Sequence, residues 1–150
     1  FQLISHCRTV TLTHSLTPIV CIGETLDQRE SGKTFDILDH QIATNLADIK
    51  TEQLAQLVIA YEPVWAIGTG KNATPMQAAE AHSHIRSHLA STFGKEAAVQ
   101  CHIIYGGSVK PKNIQELIAQ PDVDGALVGG ASLEVQAFFE IISRSRKATV

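Results

Sequence analysis

The sequence predicts an α/β protein built on parallel strands, and three observations carry that expectation. Short β-rich apolar runs alternate with longer stretches whose apolar residues recur at helical spacing. The short runs are continuously apolar, as in parallel strands covered on both faces. Glycines or polar residues stand just after each run, at the edge where parallel α/β proteins bind ligands.

The elements follow in order. Pro18-Ile19-Val20-Cys21-Ile22 reads as the first strand and stops at Gly23-Glu24. From Thr34 to about Ile49, the set Phe35, Ile37, Leu38, Ile42, Leu46 and Ile49 keeps the spacing of a helix. Leu57-Val58-Ile59-Ala60-Tyr61 is the second strand, followed by Glu62 and closed by Pro63. Thr74 and Pro75 open a helix as N-cap and first helical residue. Its stripe runs Ala78, Ala81, Ile85, Leu89, with Gly94 just beyond its end. His102-Ile103-Ile104-Tyr105 ends at Gly106-Gly107, and Pro111 opens a helix carrying Ile114, Leu117 and Ile118. Gly125-Ala126-Leu127-Val128 ends at Gly129-Gly130, and Glu134 to about Ser143 makes the last helix. The stretch Phe1 to about Thr17 has four Thr and no clean helical stripe. No repeat, low-complexity tract or linker divides the chain, and 150 residues suit a single domain.

Composition excludes several classes of function. Twelve Lys and Arg against fifteen Asp and Glu give a net charge of -3, so no basic excess is available to neutralise a run of phosphates. A dedicated nucleic-acid binder is not expected. Hydrophobic residues at 44% with 18% charged describe a folded chain rather than a disordered one. No uncharged apolar stretch approaches the roughly 18–20 residues of a membrane span. The N-terminus lacks the basic cluster and apolar block of a secretory signal. Cys7, Cys21 and Cys101 are odd in number and far apart, which makes neither a disulfide framework nor a zinc cluster. The expected setting is the reducing cytoplasm.

The densest chemistry lies in Ala60-Tyr61-Glu62-Pro63-Val64-Trp65-Ala66-Ile67-Gly68-Thr69-Gly70-Lys71-Asn72-Ala73. A carboxylate at a strand end stands beside a segment with a stiff start and a glycine-rich tip. That combination suits a general base under a mobile lid; the plain alternative is a surface Glu before a flexible loop. Gly68-x-Gly70-x-x-Ala73 loosely matches a dinucleotide fingerprint, but the residues between it and the strand spoil the phosphate geometry. Gly70-Lys71 is similar to part of a Walker loop, yet Trp65 stands where its first glycine belongs and Asn72 where Ser or Thr must hold magnesium. Gly106-Gly107-Ser108 and Gly129-Gly130 are either plain turns or sites where backbone approaches an oxyanion closely. Two such turns after consecutive strands resemble the phosphate site after the last two strands of a (β/α)8 barrel. His84 and His88 stand one helical turn apart with His82 nearby, but no Cys or carboxylate motif joins them. Packed or solvated histidines are expected there, and no metal.

The segment from Ala60 to Gly70 resembles the signature of the triosephosphate isomerase family. Cys21-Ile22-Gly23-Glu24, Tyr105-Gly106-Gly107-Ser108-Val109 and Leu127-Val128-Gly129-Gly130-Ala131-Ser132 are similar to its other hallmark segments, in order, from about Pro18 to Ser143. The resemblance implies a TIM (β/α)8 barrel, of which this chain covers about half, four βα units corresponding to strands five to eight. It implies interconversion of dihydroxyacetone phosphate and glyceraldehyde 3-phosphate through an enediolate, with Glu62 as the base and no cofactor. The backbone of Gly68, Ser108 and the Gly129-Gly130 turn would hold the substrate phosphate. Trp65 with Glu24 would be the open-lid contact, and Tyr105 and Ser108 would latch the closed lid toward Ala73 and Gly70. The family's usual state is a homodimer. Its substrate-contacting Asn and Lys and its electrophilic His are expected from the first four strands, and none of the seven histidines here lies in a matching motif. The poorly matching residues 1–17 lead us to expect a partial reading of a longer chain. The alternative expectation is an inactive half-barrel that at most binds phosphate or pairs with a complementary half.

Overall fold

The computed structural model describes residues 11–69 and 71–146. Four short strands lie side by side in chain order: β1 (Ile19–Ile22), β2 (Val58–Tyr61), β3 (His102–Tyr105) and β4 (Gly125–Ala126). All pairings are parallel, so each connection is a crossover. Right-handed crossovers taken in sequential order put the connecting helices on one face of the sheet.

Register and burial agree with that geometry. Val20, Ile59 and Ile103 are level with one another, as are Ile22, Tyr61 and Tyr105, and all six are buried. They form the row that packs against the helices. On β1 the alternate residues point the other way: Ile19 is 48% exposed and Cys21 is exposed as well. The expectation of strands covered on both faces is therefore corrected: among the described residues, one face is covered and the other is partly open.

The helices form where capping and apolar spacing coincide. The short α1 (Leu26–Glu30) is held by a capping box in which Thr25 accepts from the Gln28 N–H and the Gln28 side chain accepts from the Thr25 N–H. In α2 (Thr34–Asn45), Leu38 and Ile42 are buried. This helix stops short of Ile49 because the chain tightens, with the Leu46 N–H on Ile42 O and the Ile49 N–H on Leu46 O. Leu46 stays buried and Ile49 packs on the core, so the apolar period outlives the helix. A 3₁₀ stretch, Thr51–Gln56, then leads into β2.

The longest helix, α3 (Pro75–Phe93), opens with a capping box between Thr74 and Gln77 and buries Ala78, Ala81, His82, Ile85 and Leu89. It ends at Gly94, whose φ of 91° is open to glycine at little cost. A further helix, α4 (Lys95–Gln100), starts at once. Arg86 on α3 pairs with Asp122 and Asp124, and Asp124 also accepts the Ile103 N–H at 2.7 Å, tying α3 to the sheet.

The final elements depart from the sequence reading in extent. Pro111 sits in a turn, and α5 (Ile114–Ile118) begins only after Asn113, whose side-chain oxygen accepts the Lys110 N–H at 2.8 Å. The strand expected over 125–128 is two residues long, Gly125–Ala126. The Leu127 N–H still donates to Tyr105 O at 2.8 Å. Last comes α6 (Val135–Arg144), with Ile141 buried and Phe138, Phe139 and Ile142 exposed.

His82 gives the fold a testable pH dependence. It is fully buried, and its Nδ1–H donates to Asp122 O at 3.1 Å. Burial, the largest cause, pushes its pKa down to about 4. Between the ordinary value near 6.5 and 4, the unfolded chain binds a proton that the folded chain does not. Stability from this group is present at neutral pH and falls as pH drops through that window. His82→Gln is expected to flatten the pH dependence of the denaturation midpoint between pH 7 and 4.5. An unchanged slope would contradict the assignment.

Candidate active site

The site grows from the ends of β1, β2 and β3. The Glu62 N–H donates to Ile22 O at 2.7 Å and the Gly106 N–H to Tyr61 O at 2.8 Å, so the strand ends continue to pair beyond the sheet. Close approach there demands glycine. A Cβ at Gly106 would lie 2.5 Å from Glu62 Cγ, so the Glu62 side chain rests directly on that backbone.

Glu62 faces a cleft of about 590 Å³ that is also lined by Gly68, Ser108, Lys110, Gly129 and Gly130. All five residues assigned to chemistry or phosphate by the sequence reading thus share one cleft. Lys110 was not foreseen. It follows the Tyr105-Gly106-Gly107-Ser108 segment by two residues, and that position was its only signal in the sequence. One carboxylate, one ammonium, one hydroxyl and glycine backbone suit a small phosphate-bearing molecule better than a metal, which would need imidazole, thiolate or clustered carboxylates. Cys21 lies beside Glu62 on the open face. Its thiol pKa is raised by burial first and by the Glu62 carboxylate second.

A second group of predicted residues sits beneath the segment after Glu62. Glu24 is fully buried and accepts hydrogen bonds from Tyr61 Oη at 3.1 Å, Trp65 Nε1 at 3.0 Å and Arg29 Nη1 at 3.0 Å. The Arg29 guanidinium also lies 5.4 Å from the Trp65 ring centre, within cation–π range. Burial and the Glu24 charge raise the Tyr61 pKa strongly, so its hydroxyl remains a donor. Sequence reasoning paired Glu24 with Trp65 but missed Tyr61 and Arg29. The first hides in an apolar strand; the second was marked only by the Thr25-x-x-Gln28 cap that places it.

Of the two expected latch contacts, that of Tyr105 with Ala73 falls among the described residues. The Tyr105 hydroxyl is buried without a hydrogen-bond partner, and its pKa is raised by burial. The backbone of Ala73 faces it and opposes that rise, short of hydrogen-bond geometry. Gly70, expected opposite Ser108, lies outside the described residues, as do residues 1–10 of the N-terminal stretch. The segment itself starts as a 3₁₀ turn, Val64–Ala66, and bends at Gly68 with φ 68°. The Thr69 hydroxyl donates to Trp65 O at 2.7 Å.

Comparison with known proteins gives a consistent answer. Residues 2–145 match the family model described as triosephosphate isomerase. The chain is 55% identical over 127 residues to a triosephosphate isomerase of Syntrophotalea carbinolica, covering 85% of this chain and 50% of that protein. It is 53% identical over 144 residues to one of Carboxydothermus hydrogenoformans, covering 96% and 57%. A third, from Fusobacterium nucleatum, is 54% identical over 127 residues, covering 85% and 51%. The chain spans about half the length of these relatives, and with its four parallel βα units it belongs to the triosephosphate isomerase family.

Proposed function

We propose that this chain carries the proton-transfer half of a triose-phosphate isomerase site, working within a complete barrel. The observation that carries the reading is the shared cleft of Glu62, Gly68, Ser108, Gly129 and Gly130. The Glu62 carboxylate takes a proton from the carbon next to the carbonyl of dihydroxyacetone phosphate. The resulting enediolate is reprotonated on the neighbouring carbon to give glyceraldehyde 3-phosphate. The glycine turns, Ser108 and the Lys110 charge hold the phosphate, which anchors the substrate while the proton moves. The segment over Trp65 and Gly68 closes on the site and excludes water from the enediolate. Residues that polarise the carbonyl belong to the part of the barrel this chain does not cover. Homodimeric assembly and a cytoplasmic setting accompany this reading, supported by family membership alone.

A second reading, an inactive half-barrel, is favoured by the exposed Ile19 and Cys21 and the bare apolar side of α6, surfaces that a closed barrel covers. The two meet in one experiment. The chain is assayed for isomerase turnover alone and fused behind the N-terminal portion of the Carboxydothermus relative that its match leaves uncovered. Turnover is expected in the fusion and not in the chain alone. A folded fusion without turnover would overturn the first reading, and turnover by the chain alone would overturn the second.

A further inference from the structure

We propose that Arg29 is a positioning residue that fixes Trp65 as the pivot of the segment following Glu62. The inference deepens the isomerase reading and rests on it for what the segment covers, while the clamp itself rests on geometry. Trp65 lies three residues beyond Glu62, in the 3₁₀ turn Val64–Ala66 from which the segment starts. Two bonds tie this root to Glu24. The Val64 N–H donates to the Glu24 backbone oxygen at 3.0 Å, and Trp65 Nε1 donates to Oε1 at 3.0 Å.

Arg29 completes the seat from two directions. Its Nη1 donates to the same Glu24 Oε1 at 3.0 Å, and its guanidinium carbon stands 5.4 Å from the centre of the Trp65 ring. A carboxylate thus holds the ring at its edge, and the cation paired with that carboxylate holds it over its face. Glu24 is fully buried, and a buried carboxylate is costly unless a cation and other donors satisfy it. Arg29 is the cation paired with it among the described residues. A planar guanidinium suits this double task better than an ammonium, because it forks toward an oxygen and lies flat on a ring.

The arrangement divides the segment into a fixed root and a movable tip. Beyond Trp65 the chain bends at Gly68 with φ 68°, and Gly68 lines the cleft. A root that rocks would carry the tip off line and disturb the peptide leading from Glu62. Arg29 has room to let go, since its side chain is 19% exposed and borders a cavity of about 210 Å³ that reaches Gln77 and Glu80 on α3.

The test has one arm on this chain and one on the fused barrel. Trp65 is the single tryptophan, so acrylamide quenching of its fluorescence reads the clamp directly in the full 150-residue chain. The quenching constant is expected to rise at least twofold in Arg29→Met. It should rise less in Arg29→Lys, which keeps the charge beside Glu24 and loses the flat stack. In the fused barrel, an enediolate left uncovered expels its phosphate: the C–O bond breaks, inorganic phosphate leaves with the bonding pair, and a three-carbon dicarbonyl remains after tautomerisation. Phosphate released per isomerisation is expected to rise at least fivefold in Arg29→Met. That ratio does not depend on how much of the variant is folded, so a purely structural loss would not move it. Unchanged quenching in both variants overturns the clamp, and raised quenching with an unchanged ratio overturns the positioning role. If Arg29→Met fails to fold, Arg29→Lys decides on both readouts. A wild-type fusion without turnover overturns the isomerase reading and the positioning role with it, leaving the quenching arm to decide the clamp.

Discussion

Glu62→Gln in the fused barrel is expected to lower kcat by about 10³–10⁴-fold while leaving KM within a few-fold. The amide keeps the size and shape of the side chain, so it still rests on Gly106 and leaves the cleft walls in place. What it loses is the ability to accept and return a proton. Since the residues proposed to hold the phosphate are untouched, ground-state binding is expected to survive and the loss to appear in turnover. Steady-state kinetics measure the split. Solvent deuterium incorporation into the substrate gives a second readout, because it reports proton abstraction even when product release is slow. Near-normal turnover with normal exchange would show that another group is the base.

Strand positions and the ligand-binding edge were legible in the sequence because each rests on a local signal. Continuous apolar runs mark buried parallel strands, and a polar or glycine residue after each run marks the ligand edge. What escaped notice was short or tertiary. The five residues of α1 have no apolar stripe, and none of them is buried. Lys95–Gln100 follows Gly94 directly, a short helix that the apolar spacing did not mark. Ile49 continued the helical period although the helix had ended, because the core rewards an apolar side chain on any backbone that presents it.

The polar network shows the same division. Glu24 was singled out together with Trp65, yet its other two partners come from a strand thirty-seven residues away and from a helix that lacked an apolar signal. Asp39 is a more extreme case. It lies forty-five residues before His84, on the polar side of another helix, and nothing in the intervening sequence announces the contact. Polar contacts between elements depend on how helices settle against a sheet, and hydrophobic periodicity carries no information about that.

Gly23→Ala tests the point at which fold and site are one structure. An added Cβ would lie 1.8 Å from Glu62 O and 2.5 Å from Glu62 C, both backbone atoms. No side chain can swing aside, so the ends of β1 and β2 must part. Two bonds span that junction, Glu62 N–H to Ile22 O at 2.7 Å and Val64 N–H to Glu24 O at 3.0 Å, and Gln41 of α2 holds the Gly23 N–H and C=O from the helical side. Overpacking against backbone while straining those bonds is expected to cost about 3 kcal/mol or more. At this chain length that is a fall in Tm of roughly 6–12 °C. Activity of the fused barrel should fall too, since the shift moves the peptide that carries Glu62, and an ångström of misplacement is enough to cost about 10²-fold. Calorimetry and kinetics on the same variant separate the two effects. A variant with unchanged Tm and unchanged kcat would mean that the approach of β1 to Glu62 is looser than this geometry requires. If Tm falls while kcat holds, the strand junction supports the fold without setting the position of the base.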